Sequence, residues 1–120
     1  MLRFLLFLTI MGMMTCQCSR EKSVPVELIG VWITSDPRYE GCSIEITPMK
    51  LIYRNPRTEP GINRIRGIEK TPEGARILYR IYYEDQEGDE RTVSLYHCRK
   101  NHEPVIRFQH REEREWRKKE

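Results

Sequence analysis

With 120 residues and a mass of 14.5 kDa, the chain has room for one domain with a modest core. Charged residues are abundant but nearly cancel, at +3 overall, and the long basic runs of a nucleic-acid footprint are missing, which argues against that class of partner.

Met1 to Thr15 carries a single basic residue, Arg3, followed by the apolar run from Phe4 to Met14. That run is too short for a stable bilayer span, which needs about 20 residues, and has the length of a signal-peptide core. Nothing in it supplies the wet face of a buried amphipathic helix. Residues 1–15 are therefore read as a cleaved export signal. Only Arg3 of the 21 Lys and Arg would leave with it, so the remainder stays near neutral, with 20 basic residues against 18 acidic ones.

Cys16 and Cys18 follow directly, and here the chain resembles a bacterial lipoprotein precursor, in which a Cys at the cleavage point is acylated and becomes the mature N-terminus. Met13-Met14-Thr15 before Cys16 fits that pattern better than Thr15-Cys16-Gln17 before Cys18. Cys16 is the expected lipidation site and Cys18 the alternative; ordinary cleavage to a soluble secreted chain is the third outcome. The resemblance implies attachment to a membrane through the N-terminal lipid, on the periplasmic side of a bacterial cell envelope. With no acidic residue next to the Cys, the outer membrane is the default. More than one acyl chain, each contributing about 0.8 kcal/mol per buried methylene, makes such an anchor stable. Residues 16–25, polar and containing Pro25, read as the lipidated N-terminus and a short tether, leaving residues 26–120 as a single domain.

From Val26 onward apolar stretches alternate with turn signals every few residues, the pattern of an all-β domain. Val26 to Ser35 is read as a first strand containing Gly30-Val31-Trp32. Asp36-Pro37-Arg38-Tyr39-Glu40-Gly41 is a turn, since Asp bonds its own backbone and Pro presets φ. Cys42 to Thr47 alternates strictly, with Cys42, Ile44 and Ile46 on one face. Met49 to Arg54 is a third strand, and the Pro-containing stretch 55–61 a loop. In Ile62 to Lys70 the isoleucines recur every third residue, which a bulge near Gly67 reconciles with a strand. Ala75 to Glu84 places Ile77, Tyr79, Ile81 and Tyr83 on one face. After a hairpin at 85–88, Asp89 to Cys98 returns with Val93 and Leu95 inward. A turn at 99–104 leads to a strand at 105–110. In the tail, Glu113 with Arg117 and Glu115 with Lys119 have helical spacing, yet Trp116 flanked by charges suits an edge strand, which is the expectation.

About seven or eight short strands joined by tight connections predict a small antiparallel up-and-down barrel or meander, with closure removing the exposed edges. Gly30 and Trp32 form a Gly-x-Trp on the first strand, and this is similar to the calycin group that includes lipocalins. The resemblance implies a basic residue from the closing strand over the indole, here Arg114 or Arg117. Gly30, Trp32 and Trp116 are read as a structural plug. The string GVWITSDPRYEGCSIEI with the terminal Trp also looks like a group of small bacterial envelope lipoproteins, a likeness that implies a fold and no activity.

Chemistry-bearing residues are sparse. Cys42 and Cys98 form a possible disulfide; it would close a loop of about 57 residues and contribute roughly 4 kcal/mol, provided the Cα atoms approach within about 7 Å. Alternation sends Cys42 inward and Cys98 outward, so separate thiols are the other reading. His97, Cys98 and His102 lack the spacing of a metal site and read as surface residues beside a turn; no metal and no cofactor are expected. No nucleophile elbow, HExxH or phosphate-cradling loop occurs, so an enzyme is not expected. Asp36, Arg38 and Tyr39 are a possible recognition loop, or else a self-capped turn with Tyr39 as a lid. Tyr79, Tyr82, Tyr83 and Tyr96 could line a pocket or serve as core and cross-strand pairs. The function expected from these features is a non-catalytic binding module for a small apolar ligand or envelope component. The alternative is a protein-interaction module, an inhibitor or assembly factor, working through exposed loops. A cavity of about 300 Å³ or more separates the two.

Overall fold

The computed structural model describes residues 19–21 and 23–119; the export signal and both candidate lipidation sites, Cys16 and Cys18, lie outside the described residues. The domain is all-β. Its strands are β1 (Ser19–Glu21), β2 (Gly30–Ile33), β3 (Ser43–Ile46), β4 (Lys50–Arg54), β5 (Gly61–Glu73), β6 (Arg76–Glu84), β7 (Glu90–Lys100), β8 (Glu103–Phe108) and β9 (Trp116–Lys118). From β2 to β9 each strand pairs antiparallel with the next, and β2 pairs with β9 through Trp32 opposite Lys118 and Ile33 opposite Arg117. Eight strands thus close an up-and-down barrel, which leaves no free edge around the ring.

The alternation of the sequence accounts for the core. Trp32, Ile44, Ile46, Leu51, Ile68, Tyr79, Ile81, Leu95 and Ile106 point inward and are almost wholly buried. In β5 the register slips between Ile65 and Gly67, and this bulge places both Ile65 and Ile68 in the core despite their three-residue spacing. The tail forms a strand at 116–118 as expected, preceded by a single 3-10 turn at Gln109–Arg111. The 99–104 turn is tighter than expected: Asn101 and His102 both take positive φ, 53° and 70°, and β7 and β8 run up to them as a two-residue hairpin.

Two segments depart from the expected boundaries. Ser19–Glu21 was assigned to the tether, yet its backbone pairs with Ile68–Lys70 of β5, along the edge that β4 leaves after Arg64. An unpaired length of a 13-residue strand is thereby covered. Val26–Leu28 is a 3-10 turn rather than the start of a strand. The turn carries Leu28 beneath the barrel, where it is fully buried and where its carbonyl accepts the Trp32 indole N–H at 2.9 Å. Burying Leu28 while satisfying that indole outweighs the extended propensity of the Val-Glu-Leu-Ile stretch.

The meander sorts the connections between two ends. Segments 34–42, 55–60, 85–89 and 109–115 lie at one end, the mouth. Segments 23–29, 47–49, 74–75 and 101–102 and Lys119 lie at the other, closed by Leu28.

Candidate functional site

The closed end is a plug built around Trp32. Lys118, opposite it across the barrel seam, holds its ammonium 5.2 Å from the indole ring and donates to the Glu27 carbonyl at 3.2 Å. The base over the indole is therefore Lys118, and not Arg114 or Arg117. Alternation from Trp116 turns Lys118 inward and Arg117 outward, where Arg117 pairs with Glu103; Arg114 precedes the strand altogether. Gly30 takes φ +148°, and an added Cβ would come within 3.1 Å of the Lys118 stem, so the glycine of Gly-x-Trp is needed for both conformation and space.

Glu27 accepts a hydrogen bond from the Tyr79 hydroxyl, which holds its carboxyl below the ordinary range. His97, expected at the surface, follows Val93 and Leu95 on the inward face of β7 and is buried between Trp32 and Tyr79, with ring centroids 6.4 Å from each. Its Nε2 has no hydrogen-bond partner among the described residues, and burial pushes its pKa below the usual 6.5. The folded domain thus favours the neutral ring, whereas the unfolded chain takes up a proton as pH falls past 6.5. Stability should be full above that value and decline below it. The denaturation midpoint of the wild type should fall between about pH 7.5 and about pH 5, and His97→Phe should flatten that slope.

The mouth is the candidate site. It encloses an open cavity of about 500 Å³. Ile44 of β3, Tyr53 of β4, Val93 of β7, Phe108 of β8 and Trp116 of β9 form the apolar wall, with Tyr39 and Cys42 beside them. Arg54, Asn55, Thr58, Glu59, His110, Arg111 and Arg114 make a polar rim. Edge-to-face contacts set the wall: Trp116 meets Tyr39 at 6.0 Å and Phe108 at 6.2 Å between centroids. Burial pushes the Tyr53 phenol well above its ordinary pKa, so it faces the cavity as a neutral hydroxyl.

The expected recognition loop divides between two roles. Asp36 accepts from the Arg38 backbone N–H at 3.0 Å and from the Arg38 guanidinium at 2.9 and 3.2 Å, and also from Arg114 Nε at 3.0 Å. The Arg38 bonds, with Arg114 in addition, hold the Asp36 carboxyl far below the usual range. Asp36 and Arg38 are thus the cap of the 37–39 turn, and they border a separate polar groove with Glu112 to Glu115. Tyr39 alone of the three joins the apolar wall; Arg114, buried, stacks over it at 4.1 Å and fixes the ring.

Cys42 and Cys98 are free thiols. Cys42 lies at the mouth before β3, while Cys98 is on the outward face of β7, halfway around the ring, so the disulfide does not form. The tyrosine set also divides. Tyr79 and Tyr83 belong to the packed interior, the Tyr82 hydroxyl donates to Glu69 outside, and Tyr96 lies outside beneath Arg76, 3.6 Å from its ring centroid. None of the four lines the cavity. Instead Tyr53, Val93 and Phe108 do, each the outermost inward residue of its strand as the strand nears the mouth; extending the alternation to the strand ends was the available signal.

Asp85, Glu87 and Asp89 gather their oxygens within 4.8 Å of one another at the 85–89 turn. Arg91 Nε donates to Asp85 at 2.7 Å, and the backbone N–H groups of Glu87 and Asp89 also bond it, which makes the trio a capped turn. Compared with protein-family models, with curated proteins and with solved structures, the chain matches none.

Proposed function

We propose that the protein is a lipid-anchored component of a bacterial cell envelope whose barrel binds a small, largely apolar ligand without catalysis. The observation that carries this reading is the mouth cavity. At about 500 Å³ it lies within the range of small-molecule sites, and its wall is aromatic and aliphatic, with the Tyr53 hydroxyl, Cys42 and Ser43 beside it and the remaining polar groups on the rim. Each rim guanidinium already has a carboxylate partner, Arg54 with Glu45 at 3.1 Å, Arg114 with Asp36 at 3.0 Å and, more loosely, Arg111 with Glu113 at 3.8 Å, so an uncharged body suits the site better than an anion. A protein-interaction module needs no such cavity.

Attachment through the lipid is tested by Cys16→Ser in the full chain, which should abolish acyl labelling and release the protein from the membrane fraction; persistence of both would transfer the anchor to Cys18 or remove it from the account. Binding is tested by titration with an uncharged, environment-sensitive apolar fluorophore. Saturable uptake of one probe per barrel is expected, and absence of saturable uptake would leave the interaction module as the better reading.

A further inference from the structure

The two ends of the barrel differ in charge and in exposed apolar surface. The mouth connections 34–42, 55–60, 85–89 and 109–115 hold nine acidic residues against four basic ones. At the closed end, the turns taken with the strand residues that flank them, 23–29, 47–50, 73–76, 99–103 and 118–119, hold six basic residues against three acidic ones; of the six, Arg76 and Lys100 pair with Glu112 and Glu115, and Lys118 turns inward over Trp32. Lys50, Arg99 and Lys119 are exposed there. The two most exposed large hydrophobic residues among those described, Val26 at 79% and Met49 at 63%, also sit at this end, each at the tip of a turn. Finally, the described chain enters at this end: Ser19 lies opposite Lys70, in the half of β5 that runs toward the closed-end hairpin at 74–75.

We propose that the closed end is a membrane-docking surface that seats on anionic lipid headgroups, holding the cavity mouth toward the aqueous side. The proposal rests on the N-terminal anchor proposed above. Apolar tips at the same end as the exposed Lys50, Arg99 and Lys119 are the chemistry that enters a headgroup layer: the tips bury apolar surface, and each exposed basic residue gains from the negative surface potential. The acidic mouth is repelled from the same surface, so attraction at one end and repulsion at the other turn the barrel the same way. With the chain entering at the closed end, a short tether allows this pose and hinders the reverse one. The ligand then exchanges with the aqueous side and not by lateral entry from the anchoring bilayer.

Amide hydrogen exchange of the full chain, on vesicles of phosphatidylcholine with and without phosphatidylglycerol, tests this. With the anionic lipid, exchange at 23–29, 47–50 and 99–103 should slow several-fold relative to protein in solution, and exchange at 55–60 and 109–115 should not. High salt should weaken that protection. Val26→Asp combined with Met49→Asp should abolish it while the protein stays on the vesicles, whereas Arg57→Glu at the mouth should leave it unchanged. Lys50→Gln should reduce the affinity of the docked state by about fivefold. Protein that pellets with vesicles but shows equal protection at both ends, or protection only at the mouth, overturns the orientation and leaves the anchor standing. Protein that stays in the supernatant overturns the anchor, and the orientation with it.

Discussion

Replacing Trp32 with alanine is expected to lower the unfolding free energy by about 3 to 5 kcal/mol, the range for truncating a buried tryptophan. The indole is fully buried. Its N–H satisfies the Leu28 carbonyl, its face meets Lys118, and its edge meets His97. Truncation leaves a void beside Ile44, its cross-strand neighbour, strands the buried Leu28 carbonyl, and removes the ring under the Lys118 ammonium. Chemical denaturation reads the effect directly, and a midpoint indistinguishable from wild type would mean that β2 and β9 do not close the barrel around this ring. Lys118→Met keeps the stem over the indole and loses the bond to the Glu27 carbonyl together with the contact of the ammonium with the ring, so it should cost less, about 1 to 2 kcal/mol.

Val93→Trp is expected to block the cavity. Val93 points inward from β7 at the mouth, half-buried, with the open cavity in front of it, so a larger side chain has room to enter without displacing the packed residues below. An indole covering about 100 Å² of apolar wall removes about 2.5 kcal/mol of burial from any ligand, close to a 100-fold loss of affinity. Stability should change little, because the new ring fills space instead of crowding a filled core. Fluorophore titration checks the first expectation and denaturation the second. Undiminished binding in a folded variant would locate the ligand elsewhere.

Much of the fold was legible because alternation carries it. Ile44 and Ile46, then Ile77, Tyr79, Ile81 and Tyr83, reveal the inward face with no tertiary information, and the irregular isoleucines of β5 signal their bulge. Trp32 was recognisable as the plug from its Gly-x-Trp context. What was not legible depends on partners distant in sequence. Val26 to Ile29 is apolar enough to pass for strand, and only the indole four residues on explains why it coils into a cap. His97 lies on the inward face by the same alternation that placed Leu95, yet its neighbours Cys98 and His102 suggest a surface cluster. The identity of the base over Trp32 depends on the β2–β9 register, which a displacement of one residue reverses.

The mouth was the least legible part, since its wall takes one residue or so from each of β3, β4, β7, β8 and β9, and no local motif marks them as a group. Asp36-Pro37-Arg38-Tyr39 drew attention as a compact, chemically rich loop, but its charges are spent on capping itself and on Arg114. That saturation is what leaves Tyr39 and Trp116 as an apolar wall.

Whether this cavity holds a small molecule is decided by native mass spectrometry of the protein purified from the cells that make it. A mass in excess of the polypeptide by one small molecule is expected, released on denaturation and missing from Val93→Trp. A wild-type protein that emerges with no added small molecule, or bound only to another protein, would show that the cavity has no such occupant.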